Sequence, residues 1–277
     1  MLLRKQAKVE QVNIEEFEQL KPQEYLPQAV MQIAMQAGTI LLSSGAETYR
    51  VENTVGIILS LAKSSDYDVT AMGTSITAFM VSQDGEHTNT QIRRVRHRSL
   101  NLQHIATVNQ ISRDLVAGKI QLTEAAECMN ELKKPVYSKW EKNLAIVVMV
   151  CSFALLLSGR FEDFFAAAPV AFGIIFVNAL VQYIRVEGFF AHLLSAFVGA
   201  CMAFASQHYL FPMASLDIII AGALMPLLPG TSFTNAIRDV IQGDYISAAA
   251  RAMEAVFVAL ALSIGVGFAL GLFAAFL

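Results

Sequence analysis

Residues 164–184 read FFAAAPVAFGIIFVNALVQYI, a run of 21 residues without a charged side chain. At a rise of about 1.5 Å per residue, a helix of this length crosses about 30 Å of hydrocarbon. Comparable apolar stretches lie on both sides of it, separated by short polar segments. The sequence therefore predicts a multi-pass α-helical membrane protein with about five transmembrane helices, at 143–159, 164–184, 188–207, 215–230 and 252–277.

The N-terminal half of the chain has a different composition. Residues 1–141 contain 15 Lys/Arg and 16 Asp/Glu, whereas residues 142–277 contain five and seven. Because a charged side chain in hydrocarbon is costly, a bilayer selects for the low charge density of the second half. We predict an N-terminal tail at 1–23, a soluble domain at 24–140 and a transmembrane bundle at 141–277.

Helical and strand-like patterns alternate in the soluble domain, which predicts an α+β fold. Asp84-Gly85 is a hairpin turn signal, and Thr123 is a candidate helix N-cap. The predicted helices are 24–44, 46–63, 100–117 and 123–132, and the predicted strands are 67–72, 75–82 and 88–95.

A polar segment at 43–52, SSGAETYRVE, surrounds a break between the first two predicted helices. Glu47 and Arg50 are three residues apart and can pair on one helical face. Two interpretations remain open: a capped helix start with a surface ion pair, or a functional motif. In the second case Gly45, Glu47, Arg50 and Glu52 are its candidate residues.

Two further polar groups of this domain also have two interpretations each. His87, beside Asp84 and Glu86, is a candidate metal ligand, although the polar tip of a turn is the commoner reason for such a group. The sequence shows no P-loop, dinucleotide-binding or nucleophile–base motif, so we expect no cofactor, metal, nucleic-acid partner or enzymatic reaction. The second group is a basic cluster, which either binds anionic lipid or an acidic partner or is a solvated strand end. Its members are Arg93, Arg94, Arg96, His97 and Arg98.

The fourth apolar span is interrupted at Pro226 to Gly230. A broken helix leaves backbone groups unpaired, which at membrane depth is tolerated only beside protein or a water-filled cavity, as in transporters. Gly243 is predicted to end a short helix after the break, and Asp244 to cap the last helix. The alternative to a pathway is an ordinary cytoplasmic loop with these capping residues. Candidate residues of a substrate or ion pathway are Pro229, Gly230, Asp239, Asp244, Arg251, Glu254 and, in the second span, Asn178.

Small residues recur every fourth position in two spans, which favours close helix packing in lipid. The spacing does not distinguish a neighbour within the chain from one in a partner or in a second copy of a homo-oligomer. The two sets are Ala191, Ser195, Gly199 and Ala203, and Ser263, Gly267, Gly271 and Ala275.

Positive charges predict the orientation of the bundle. Arg160, on the opposite side, is offset by Glu162 and Asp163. By the positive-inside rule the soluble domain is cytoplasmic and the C-terminus lies outside. The residues that share the cytoplasmic side are Lys133, Lys134, Lys139, Lys142, Arg185, Arg238 and Arg251.

Two motifs stand out along the chain. The first is the segment 43–52 with the following strand Thr70–Phe79. The second is Leu227-Leu-Pro-Gly230 followed by Ala236, Asp239, Gly243-Asp244 and Ala250-Arg-Ala-Met-Glu-Ala255. Both resemble motifs of the threonine/serine exporter family, and the likeness extends from about residue 28 to 270. A mild departure is Ser247 followed by three alanines, where family members often have serine and then glycine.

With about five spans, the chain resembles the short, split branch of that family. The resemblance implies a secondary transporter in the plasma (inner) membrane of a bacterium, completed by a second small multi-pass subunit. It implies export of small polar metabolites, either threonine/serine-type amino acids or dicarboxylates such as succinate. Asp239, Asp244 and Glu254 would then serve a proton or an ammonium group, and Arg251 a substrate carboxylate.

Two other classes of function are alternatives. A membrane-bound sensor would bind a ligand without transporting it. A membrane-anchored hydrolase would use Glu47, Asp84 or His87 in its soluble domain, and that domain alone would turn over a substrate.

Overall fold

The computed structural model describes residues 27–62, 64–96, 98–132, 137–184 and 188–276. The predicted tail 1–23, His97, Lys133, Lys134 and Arg185 lie outside these residues. Packing divides the chain into two compact units, one of residues 1–136 with 235–250 and one of residues 137–234 with 251–277. Residues 235–250, which the sequence assigns to the transmembrane bundle, thus pack with the N-terminal unit.

The first unit combines helices with a small antiparallel sheet, in the order that the sequence predicts. The sheet has the strand order β1-β2-β3, and the β2–β3 turn contains Asp84-Gly85. The elements are α1 (Pro27–Ser43), α2 (Thr48–Leu59), β1 (Ser64–Met72), β2 (Ser75–Ser82), β3 (Thr88–Arg94), α3 (Leu102–Val116) and α4 (Leu122–Glu131).

Helix α1 is the centre of this unit, because apolar residues occupy most of its circumference and are buried. The alternating residues Ile76, Ala78 and Met80 of β2 belong to the same core. Gly38 permits close packing of α1 on α2, since a Cβ atom there would lie 2.7 Å from a methyl group of Val55.

The second unit contains the apolar helices. Among the described residues, four helices are long and apolar enough to cross a membrane, or five if a pair bent by 55° at residues 228–229 forms one span. A π-helical turn (Ser206–Leu210) follows α7, and a 3-10 turn (Met225–Leu227) follows α8. The helices are α5 (Lys139–Ser158), α6 (Phe161–Ile184), α7 (Phe189–Ala205), α8 (Leu216–Leu224), α9 (Gly230–Ile241) and α10 (Tyr245–Phe276), the last two shared with the first unit.

A buried carboxylate joins two helices of the second unit. Asp163, in the first turn of α6, has no exposed surface, and its Oδ1 accepts a hydrogen bond from the backbone N–H of Ser215 (2.7 Å). Ser215 precedes α8, so this bond fixes the start of the broken helix pair to α6. In the sequence Asp163 counts only as a charge that offsets Arg160.

Small residues permit the close helix contacts of this unit. Gly199 of α7 packs against Val170 and Ile174 of α6, so the predicted small face of α7 is used within the chain. Helix α10 approaches α7 through Gly265, where a Cβ atom would collide with the carbonyl oxygen of Leu193. The predicted small face of α10 is exposed instead: Ser263, Gly267, Gly271 and Ala275.

Candidate functional site

The two sequence motifs meet in the first unit. The segment before and at the start of α2 contacts the second half of α9, about 190 residues away in the chain. The side-chain amide of Asn235 donates to the carbonyl oxygen of Gly45 (3.1 Å). The hydroxyl of Thr48 donates to Oδ1 of Asp239 (3.0 Å), and the guanidinium of Arg238 binds the carboxylate of Glu47. We call these residues the α2–α9 cluster.

The turn between α1 and α2 sets up this cluster. Helix α1 ends with the N–H of Ala46 donating to the carbonyl oxygen of Leu41 (3.1 Å). Gly45 has a φ of +83°, a left-handed conformation that favours glycine. Glu47 has extended backbone and directly precedes α2. The turn thus presents the Gly45 carbonyl, the Glu47 carboxylate and the Thr48 hydroxyl together.

Glu47 is a buried carboxylate between two arginines. It is 6% exposed, and its Oε2 lies 3.5 Å from Nη1 of Arg50, which is the predicted i,i+3 pair. Burial raises the pKa of Glu47, but its own backbone N–H, Arg50 and Arg238 together outweigh this effect, and the pKa lies below its usual value. Glu47 is therefore ionised at neutral pH.

Glu52 experiences the opposite environment. Its Oε1 accepts a hydrogen bond from the backbone N–H of Ala71 in β1 (2.8 Å). Burial raises its pKa, the Ala71 N–H opposes this, and the like charges of Asp244, Asp68 and Asp239 raise it further. The net pKa is raised, so Glu52 holds its proton to a higher pH than a solvated glutamate does.

The corner between α9 and α10 belongs to the same unit. Gly243 ends α9 with a φ of +84°, and Oδ1 of Asp244 accepts from the N–H of Ser247 (3.1 Å), so both act as the sequence predicts. Asp239 has no exposed surface. Two of the predicted pathway carboxylates, Asp239 and Asp244, therefore lie in the same unit as the motif at 43–52.

The other predicted pathway residues lie in the second unit. Pro229 and Gly230 are at the bend between α8 and α9, where the N–H of Gly230 donates to the carbonyl oxygen of Leu228 (2.9 Å). Arg251 is 4% exposed, whereas Glu254 is exposed and Asn178 is half-buried.

The candidate metal ligands form the tip of the β2–β3 turn. Ligand atoms of Asp84, Glu86 and His87 lie within 4.8 Å of one another, and all three residues are exposed. Asp84 also accepts hydrogen bonds from the Ser82 hydroxyl and from the N–H of Glu86 (3.0 Å). These bonds belong to the turn itself and favour the interpretation as a polar turn tip.

Sequence reasoning missed three members of the α2–α9 cluster. Thr48 belongs to the first motif, but no pattern assigns it a role. Arg238 indicates only a positive charge, and no pattern singles out Asn235. Asn235 and Asp239 are four residues apart, which places two polar side chains on one face of α9. That spacing is the signal that could have identified the face.

The chain is similar to known membrane transport proteins. The model of the threonine/serine exporter family, ThrE, matches residues 32–273. The Mycobacterium tuberculosis protein named "Probable threonine/serine exporter" is 24% identical over 239 residues, which are 86% of this chain and 45% of that relative. The chain thus spans about half the length of this curated relative. No solved structure matches the chain.

Proposed function

Because this chain belongs to the threonine/serine exporter family, we propose that it is one subunit of a secondary transporter that exports small polar metabolites. The observation that carries the proposal is the family match over residues 32–273. The family agrees with the resemblance of the two motifs, and it is a family of exporters and not of enzymes. The proposed substrates are threonine/serine-type amino acids or dicarboxylates such as succinate, and the proposed driving force is the proton gradient or the membrane potential.

A second small multi-pass membrane protein completes the exporter in this proposal. The aligned stretch is only 45% of the curated relative. More than half of that relative therefore has no counterpart in this chain, and in this proposal the second protein supplies it. The exposed small face of α10 offers a surface on which a helix of another protein can pack closely. Such a partner and a second copy of this chain both meet this requirement, and purification of the complex distinguishes them.

The proposed orientation places the first unit in the cytoplasm and the C-terminus outside, in the plasma membrane of a bacterium. The polar pathway residues support transport within this frame. Arg251 is buried, and a buried guanidinium is suited to bind a substrate carboxylate through two parallel hydrogen bonds. Asp239, Asp244 and Glu254 are proposed to serve a proton or an ammonium group, and Asn178 to line the path.

The cytoplasmic motif has a proposed gating role. Gly45, Glu47 and Thr48 bind one face of α9, and α9 begins at Gly230, the residue after the Pro229 bend. A displacement of the α+β domain is therefore transmitted to α9 and along it to the break. Arg50 supports this contact by pairing with the Glu47 carboxylate, which favours its ionised form. Glu52 supports it by accepting a hydrogen bond from the Ala71 N–H, which fixes α2 against β1.

Transport in vesicles tests the proposal. This chain and the proposed second subunit are reconstituted together. Efflux of labelled threonine, serine and succinate is then measured for the wild type, for Arg251→Ala and for the control Arg113→Ala. Arg113 is on α3, where it binds Gln110 at an exposed site. We expect Arg251→Ala to abolish efflux at normal protein levels and Arg113→Ala to retain it. Unchanged efflux by Arg251→Ala would remove this residue from the substrate path, and absence of efflux by the wild-type pair for all three compounds would refute the proposed substrates.

A further inference from the structure

The face of α9 opposite the α2–α9 cluster carries exposed apolar side chains. Ile237, Val240 and Ile241 are 49%, 49% and 74% exposed. Their spacing of three and four residues places them in one stripe along the helix. We call this set the apolar stripe of α9.

The polarity of α9 is inverted relative to a surface helix of a soluble domain. Ala236 and Asp239 are buried, and the side chains of Asn235 and Asp239 bind Gly45 and Thr48. In a soluble domain the apolar face of such a helix packs inward and the polar face meets water. Here the polar face packs inward, so the outward face requires an apolar environment.

The adjoining chain identifies that environment as lipid. Only Gln242, Gly243 and Asp244 separate α9 from α10, a helix that is long and apolar enough to cross a membrane. Tyr245 and Ile246, the first two residues of α10, are 69% and 70% exposed, so exposed apolar side chains lie on both sides of this short connection. The stripe thus lies within a few residues of a helix that is suited to cross the membrane.

The length and composition of α9 suit the surface of a bilayer better than its centre. Its 12 residues extend about 18 Å, which is short of the roughly 30 Å of hydrocarbon. Arg238 binds Glu47 from the edge of the polar face and is half-exposed, so its cation is also placed to meet lipid headgroups. A helix with these features lies along the interface, with its apolar face inserted and its polar face outward.

We propose that α9 lies in the headgroup region of the bilayer, with its apolar stripe in lipid and its polar face holding the α+β domain. The family assignment does not include this surface. The proposed position of α9 gives the three contacts of the α2–α9 cluster a second role, since they attach the domain to a helix embedded in the membrane surface. The domain is then tethered to lipid independently of its covalent link to α5.

Tryptophan quenching in vesicles tests the position of α9. The chain has one tryptophan, Trp140, so Trp140→Phe provides a silent background. In this background Ile241→Trp reports on the stripe. Val116→Trp is the control, because Val116 is an exposed apolar residue at the end of α3 farthest from the bond between Asn101 and Ser44. The full chain is reconstituted in phosphatidylcholine–phosphatidylglycerol vesicles, with bromine on the acyl chains either near the headgroup or near the chain end.

We expect bromine near the headgroup to reduce the fluorescence of Ile241→Trp more strongly than bromine near the chain end does, because an interfacial helix inserts only about 5–10 Å. The fluorescence of Val116→Trp remains unchanged. Stronger quenching of Ile241→Trp by the deeper bromine would place α9 within the hydrocarbon as part of a broken span. A blue-shifted emission without quenching would show that protein covers the stripe, and either result overturns the proposal. Because each substitution is at an exposed side chain, the fold is retained, and circular dichroism of each variant checks this.

Discussion

Glu47 and Glu52 lie five residues apart, but substitution by glutamine should affect the stability of the fold differently at the two positions. Glu47→Gln removes the charge that binds Arg238 and Arg50, and we expect a loss of about 1 kcal/mol, because Arg238 is half-exposed. Glu52→Gln retains an acceptor for the Ala71 N–H and removes repulsion from Asp68, Asp239 and Asp244. Its thermal midpoint at pH 7 should equal or exceed that of the wild type. Thermal unfolding of the full chain in detergent measures both, and a lower midpoint for Glu52→Gln would contradict the assigned environment.

The pH dependence of these two variants provides an independent check. The pKa of Glu47 is lowered in the fold, so its contribution is present above the ordinary value of 4.5 and is lost as the pH falls through the folded value. The pKa of Glu52 is raised, so its penalty is absent below 4.5 and grows as the pH rises through the folded value. Glu47→Gln should therefore reduce the loss of stability that the wild type shows as the pH falls below 4.5. Glu52→Gln should reduce the loss of stability that the wild type shows as the pH rises above 4.5.

Only part of this residue-scale geometry could be predicted from the sequence. The pair of Glu47 with Arg50 follows from helical spacing, because residues three apart lie on one face. The binding of Arg238 to Glu47 does not, because spacing contains no information about residues 191 positions apart. The sequence likewise identifies Asp239 as a polar residue near the membrane but does not identify Thr48 as its donor.

At the scale of elements, turn chemistry predicts more than hydropathy does. The bend at Pro229 and Gly230 and the end of α9 at Gly243 agree with the prediction, because proline and glycine act locally. The candidate N-cap at Thr123 is wrong: α4 begins at Leu122, and the carboxylate of Glu124 accepts from the N–H of Gln121 (2.9 Å).

The start of α5 shows where hydropathy alone misplaces a helix boundary. The apolar pattern places the first span at 143, but the helix begins at Lys139. The hydroxyl of Ser138 accepts from the N–H of Glu141 (3.3 Å), and the carboxylate of Glu141 accepts from the N–H of Ser138 (2.7 Å). This capping box extends the helix by a turn of polar residues that an apolar window excludes.

Two glycines of α10 provide a matched test of its packing. A Cβ atom at Gly265 would meet the backbone of α7 and Ala196, whereas a Cβ atom at Gly267 has no atom within 4 Å in the described structure. Gly265→Ala should lower the thermal midpoint, with a cost of about 1–3 kcal/mol typical of overpacking. Gly267→Ala should leave it unchanged or raise it slightly, since alanine is the better helix former. Equal effects of both substitutions would contradict the packing of α10 on α7.

For the whole molecule, the order of elements was accessible from the sequence and their grouping was not. Apolar length and charge density predict a domain followed by spans, and residues 235–250 then count as a loop of the bundle. The structure groups them with the N-terminal unit, because the polar face of α9 binds the turn before α2 and the first residue of α2. Local sequence cannot reveal this grouping, since each of these bonds joins residues about 190 positions apart in the chain.

If the α2–α9 cluster transmits motion of the α+β domain to the break, Glu47 and Arg238 must act as one unit in export. We expect Glu47→Gln and Arg238→Gln each to slow efflux from vesicles, and the double variant to be no slower than either one, because contacting residues are coupled by about 0.5–3 kcal/mol. The matched control is the pair of Lys119 with Asp114 (3.2 Å) on the surface of the same unit, whose removal should leave efflux unchanged. If the effects of Glu47→Gln and Arg238→Gln on efflux were instead additive, the two residues would act separately, and the gating role of their contact would be excluded.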